Sequence, residues 1–175
     1  MRNLIIGLAS IGLVSGAAYS DDSMADSADA RPAEAIDFML GQWSGEGWML
    51  APNGYRAEFR VEESVVAGAN GHAVIIHGTG YAGEDDRVVH DALGLVWQEG
   101  DGSYRMRSVV MQGFTLEVTP VITETALTWE FDAGPMGRTR YVSEFSTGQW
   151  VETGSRLGPD GEWTVFLRMD LDRVD

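Results

Sequence analysis

The sequence contains no cysteine. Disulfides, zinc–thiolate centres and thiol nucleophiles are therefore excluded. Lysine is missing too: all 12 cationic side chains are arginine, against 27 acidic ones, for a formal net charge of −15. A surface of that sign repels nucleic-acid phosphates and anionic lipid headgroups, so neither is an expected partner. Proline is scarce at 5 residues and glycine plentiful at 22, a balance that suits many tight turns rather than disorder. Beyond residue 40 no sustained 3.6-residue apolar period is found either, which argues against a helical fold.

The N-terminus reads as a removable leader. Arg2 supplies a positive start, Leu4–Val14 is apolar or small, and Ala18 and Ser20 are small residues at the −3 and −1 positions of a cleavage site. The apolar run is about half of what a transmembrane helix needs. Cleavage near Ser20 makes the mature protein secreted or periplasmic. Residues 21–33 are acidic and rich in Ala and Ser, the composition of a flexible tether. The expected organisation is a signal peptide over 1–20, the tether over 21–33 and one domain over 34–175.

What fills that domain is alternation. Glu34–Leu40 has the composition of a short helical turn, and period-2 segments follow, such as Tyr55–Glu62, Phe114–Thr119 and Leu127–Asp132. Gly-rich turns separate them at 52–54, 69–71, 83–85, 100–102, 134–135 and 158–161. The spacing gives about ten antiparallel strands in a meander, near 43–50, 55–66, 71–81, 87–98, 103–110, 114–122, 125–132, 137–146, 149–157 and 162–173. Two-residue loops at Gly83-Glu84, Gly100-Asp101 and Thr123-Glu124, and a three-residue loop ending at Gly113, gather Val74, Leu93, Leu95, Trp97, Tyr104, Met106, Leu116, Val118, Trp129 and Phe131 on one face. A sheet with one apolar face hides it by closing into a barrel, which also removes its edges. The charged alternation Arg56, Glu58, Arg60, Glu62 is the wrong outer face for a lipid-embedded barrel, so membrane insertion is not expected. The fold class is all-β, an antiparallel meander barrel with a short N-terminal helical turn.

Phe38, Leu40, Gly41, Trp43, Gly45, Glu46 and Gly47 resemble the opening of the calycins, in which a Gly-x-Trp follows a helical turn. The segment is most similar to the Leu-Gly-x-Trp-x-Gly-Glu-Gly start of nitrobindin-like ten-stranded barrels; lipocalins share its shorter form. The end of the chain, Asp160, Gly161, Trp163, Arg168, Leu171 and Arg173, resembles the last hairpin of bacterial calycin-like families of unknown function. The resemblance implies a barrel with a small-molecule cavity and no particular reaction. In nitrobindins a late His holds haem iron. No His follows His90 here, so haem is not carried over and no cofactor is expected.

Several chemical patterns dissolve on inspection. Gly78, Gly80 and Gly83 spell a dinucleotide-binding pattern, but an acidic turn and another strand follow where a helix N-terminus is needed. His72, Asp91 and Ser108 share the expected inner face, yet the register holds His72 and Asp91 roughly 13 Å apart at about 3.3 Å per residue. No triad results. His77 and His90 are expected opposite one another on the outer face, and two ligands are too few for a metal site. Glu46, Glu63 and Glu152 are candidate inward carboxylates in need of an Arg or water partner. No catalytic residue and no metal ligand is assigned. The aromatic inventory is the functional signal: Trp48, Tyr55, Phe59, Trp97, Tyr104, Met106, Leu116, Trp129 and Phe131 are the expected cavity wall for a small apolar or amphipathic molecule. Two alternatives use the same residues: an isomerase or hydrolase of a hydrophobic substrate, and an envelope interaction protein whose interior is packed solid.

Overall fold

The structure, a computed structural model, describes residues 32–51 and 53–174. The expected signal peptide, and the tether up to residue 31, lie outside them. A helical turn, α1 (Pro32–Ala35), and a 3-10 turn, Asp37–Met39, lead into eleven strands. These are β1 (Gly41–Leu50), β2 (Arg56–Gly68), β3 (Ala73–Ala82), β4 (Arg87–Gln98), β5 (Tyr104–Val110), β6 (Thr115–Val118), β7 (Val121–Ile122), β8 (Ala126–Asp132), β9 (Arg138–Ser146), β10 (Gln149–Leu157) and β11 (Trp163–Arg173). All pairings are antiparallel, in the order β6-β5-β4-β3-β2-β1-β11-β10-β9-β8-β7. The meander is therefore as expected.

Full closure is not. The segment expected as one strand over 114–122 breaks into β6 and β7, which form the two edges of a single curled sheet, a half-barrel. Pro120 sits buried at the break. It has no N–H to give to a ladder, so pairing cannot run through it.

The inner face divides along the strands. At one end it is apolar and capped by the N-terminal turns. Ile36 and Met39 drop onto Trp43, Val65, Val74, Val96, Met106, Val118, Leu127, Phe145, Trp150 and Leu171, all buried. Trp43 organises this closed end. Its indole N–H donates to the Met39 carbonyl at 2.9 Å, and its ring meets Phe145 and Trp150 edge-on. The Arg173 guanidinium lies 4.2 Å over that ring and donates to the carbonyls of Phe38 and Leu40. This explains the Gly-x-Trp opening physically: the tryptophan of β1 and the arginine of β11 together pin the helical turn across the barrel end.

Register corrects the expected faces at β4. Gly80 pairs with His90 but Tyr81 with Val88, so Val89 is an extra residue, a β-bulge. A bulge shifts the strand by one position and turns every later side chain over. Val74 pairs with Val96 and Ile76 with Gly94, which puts Leu93, Leu95 and Trp97 outside. Leu93 and Leu95 are 46% and 41% exposed. The next turn, Gly100–Gly102, has three residues where two were expected, which restores the inner placement of Tyr104 and Met106 opposite Gln98 and Val96. The β5–β6 pairing, Met106 with Val118 and Ser108 with Leu116, is as the Gly113 turn requires.

Candidate functional site

Away from the closed end the inner face changes character. Large side chains there lie against glycines on the neighbouring strand. Glu63 of β2 pairs with Gly78 of β3, and a Cβ on Gly78 would fall 2.2 Å from a Glu63 carboxyl oxygen. Gly47 leaves room for the Phe59 ring, at 2.7 Å, and Gly154 for Tyr141 and Phe166, at 2.9 and 3.1 Å. The Gly78–Gly83 run is thus strand and turn, and Gly78 serves a carboxyl rather than a phosphate.

Across the interior, the two-residue Thr147-Gly148 turn pairs Ser143 of β9 with Glu152 of β10, and Tyr141 with Gly154. The Ser143 hydroxyl donates to Glu152 Oε2 at 2.6 Å. Glu63 and Glu152 are only 9% and 8% exposed, and no cation pairs with either among the described residues. Burial pushes the Glu152 carboxyl up to about 7, with the Ser143 hydroxyl pulling the other way. Burial and then the charge of Glu152 push Glu63 up to about 8. The Tyr141 phenol rises to about 12 through burial and Glu152, opposed by Arg156. These groups therefore sense one another's charge: near neutrality the carboxyl pair carries its protons incompletely and can donate or accept one.

The rim is aromatic. Trp129 and Phe131 of β8 stack on Tyr141 at 5.1 and 6.2 Å, and Phe166 meets Tyr141 edge-on. Trp129, Phe131 and Tyr141 are only partly buried, although they lie on the inner face. Arg156 lies 4.1 Å over Phe166, and its Nε is buried without a hydrogen-bond partner among the described residues, as is Trp150 Nε1.

Of the residues expected to form one wall, Phe59, Tyr104, Leu116, Trp129 and Phe131 pack against the core from the inner face, and Met106 is buried within it. The other three are corrections. Trp48 follows Gly47 in β1 and so faces outward, under the Arg56 guanidinium at 4.5 Å. Tyr55 precedes β2 in a turn and is 67% exposed. Trp97 is turned outward by the Val89 bulge, where its N–H donates to Glu99. Trp163 also stands outside, beneath Arg140, which with Arg138 pairs with Glu130 on the outer face. His72 is an exposed turn residue. His77 lies 3.4 Å from Asp91 on the outer face, while His90 is opposite Gly80 on the inner one, so the expected histidine pair does not form. Of the three candidate carboxylates, Glu63 and Glu152 face inward; Glu46, opposite Arg60, faces out. Tyr141 and Ser143 were missed, although the Thr147-Gly148 turn, read as two residues, places them.

A broad recess of about 850 Å³ lies mostly on the outer face across β1, β2, β3 and β11, although its lining also takes in Gly47 and Phe59. Its cations are already committed: Arg60 to Glu62 and Asp86, Arg168 to Asp170, Arg56 to the Trp48 ring. Exposed pairs of this kind leave no unmet polar demand, so the inner face is the better candidate.

No family model and no curated protein matches the sequence. Solved structures do. The crystal structure of Rv2717c from M. tuberculosis superposes with a TM-score of 0.65 at 16% identity, covering 83% of this chain and 99% of that one. Zebrafish ileal bile acid-binding protein, solved with cholic acid, has a TM-score of 0.48 at 17% identity, covering 78% and 99%. The shared fold is a curled antiparallel half-barrel.

Proposed function

We propose that this calycin-like half-barrel binds a small apolar or amphipathic molecule against its inner face, at the end opposite the helical plug. One observation carries the reading. Trp129, Phe131 and Tyr141 form a stacked aromatic wall that faces inward and is nevertheless only partly buried. Stacked rings left accessible in a concave face are the usual lining of a ligand site. The buried, partnerless Arg156 Nε adds a donor that gains a bond when a ligand brings an acceptor. The reading invokes neither cofactor nor nucleic acid, and it places the protein outside the cytoplasm after cleavage near Ser20. N-terminal sequencing of the mature protein should begin at Asp21.

The direct test is denaturing mass spectrometry of small molecules that co-purify with the protein. Alongside it, the neutral probe N-phenyl-1-naphthylamine is titrated with energy transfer from tryptophan as the readout. Binding that weakens about tenfold in Phe131→Ala supports the reading. Absence of transfer at saturating probe refutes it. The Ser143, Glu152 and Glu63 cluster favours one second reading, proton transfer on the bound molecule by a carboxyl poised near neutrality. Turnover lost in Glu152→Gln with probe binding intact would establish it.

A further inference from the structure

Resting on that binding reading, we infer that the preferred ligand is a cation: an amphipathic amine whose ammonium group is received by Glu152 and Glu63 and whose apolar body lies on the Trp129, Phe131 and Tyr141 wall. The two carboxyls have an unmet demand for donors. Glu63 is more than nine-tenths buried and has neither hydrogen bond nor ion pair among the described residues, while Glu152 has one hydroxyl donor, Ser143. Each carboxylate can accept several hydrogen bonds. A buried carboxylate is stable as an anion only when a cation or several donors face it.

The inward-facing bases among the described residues do not meet that demand: His90 stands opposite Gly80 and pairs with neither carboxyl. Arg156 lies over Phe166, four residues along β10 from Glu152, roughly 13 Å at about 3.3 Å per residue. It opposes the effect of Glu152 on Tyr141 but pairs with neither carboxyl. Gly78 reserves the space beside Glu63, so no side chain of β3 can fill the role. An ammonium supplies three donors and a positive charge at once, and the stacked rings beside it offer the π faces that cations favour. On binding, the amine keeps its proton and the carboxyl pair releases one of its own to solvent, so charge balances without any further reactant.

The test uses three probes on one skeleton: dansylcadaverine, which ends in an amine, and its terminal-alcohol and terminal-carboxylate analogues, each followed by energy transfer from tryptophan. The amine should bind at least about tenfold tighter than either analogue, the range of a charge-assisted hydrogen bond. Glu152→Gln and Glu63→Gln should each remove most of that preference and leave the alcohol within about twofold. Near-ultraviolet circular dichroism checks that the variants fold; if one does not, the three-probe ranking on the unmodified protein still decides. Equal binding of all three overturns the cation inference and leaves the binding reading standing. Tightest binding of the carboxylate also overturns it, assigning the site to Arg156. Binding of none overturns both.

Discussion

The two ends of the half-barrel are built from the same strands and obey opposite rules. At the closed end the inner side chains interlock: Trp43 touches Phe145, Trp150, Arg173 and the Met39 carbonyl, and Trp150 Nε1 is buried without a partner among the described residues. Toward the open end large groups lie over glycines and rings stack yet stay accessible, and where the two ends meet two carboxyls are buried, Glu63 opposite Trp43 and Glu152 bonded to one hydroxyl. Close packing stabilises the first end. Burying ionisable groups without counter-charges works against the second. The two ends divide the labour: the closed end holds the fold, and the open end is free to be chemically costly because it is not needed for that.

The most forceful way to break this division is to remove Trp43. Trp43→Ala deletes the ring contacts, the hydrogen bond and the seat of Arg173, and should cost about 3–5 kcal/mol, read as a lowered urea midpoint with an unchanged m-value. Phe131→Ala at the open end should cost well under half as much while weakening probe binding. Equal costs at the two ends would abolish the distinction.

A smaller effect sharpens it. Gly78→Ala drives a methyl group into the Glu63 carboxyl. The expected loss is about 1–3 kcal/mol, typical of overpacking. Most of it should vanish when Glu63→Ala is added, because the two residues are in contact and their effects couple. Additive effects would mean that Gly78 is needed for its backbone rather than for the space it leaves.

The carboxyl pair gives the comparison a pH axis. Both groups are raised in the folded protein, mainly by burial. A raised acid favours the folded state while protonated. Its contribution is fully present below the ordinary carboxylate value of 4.5 and is lost as pH climbs through about 7 for Glu152 and about 8 for Glu63. Glu63→Gln removes one such loss. Relative to the unmodified protein, the variant should gain stability between pH 5 and about 8, with a slope of at most about 1.4 kcal/mol per pH unit. A pH-independent effect of the substitution would show that Glu63 is not buried in solution.

Much of this architecture is legible in the sequence. Alternation places the strands, Gly113 fixes the β5–β6 register, the Gly41–Gly47 segment marks the plugged end, and Glu63 and Glu152 are identifiable as inward carboxyls. The break at Pro120 and the faces of β4 are not legible, for different reasons. The break rests on one residue, Pro120, whose missing N–H does not register in the alternation of apolar and polar side chains. In β4 both faces are apolar, with Leu93, Leu95 and Trp97 against Ala92, Gly94 and Val96. Hydrophobicity favours the larger set as core. A tightly curled inner face instead selects small residues, because neighbouring strands crowd it, and the Val89 bulge supplies the inversion. Ser143 and Tyr141 hid behind one ambiguity, whether the Thr147-Gly148 turn has two residues or three.

The inversion at β4 allows the gentlest test, since it touches only accessible side chains and the protein brings no cysteine of its own. Thr79 and Asp91 are direct partners on the outer face, whereas His77 and His90 lie on opposite faces. Cysteines at directly opposed positions have Cβ atoms about 4.5–5.5 Å apart and react together with a short bifunctional thiol reagent. Thr79→Cys with Asp91→Cys should therefore crosslink quickly, and His77→Cys with His90→Cys should not. Before crosslinking, the first pair should alter stability by no more than about 0.5 kcal/mol, as surface changes usually do. Reversal of the two outcomes would remove the bulge and return Leu93, Leu95 and Trp97 to the interior. The open end would then be filled with large apolar side chains, and its contrast with the plugged end would disappear. Trp97 reports on the same point: a bulged β4 leaves its indole open to acrylamide quenching, whereas an unbulged one buries it against Tyr104.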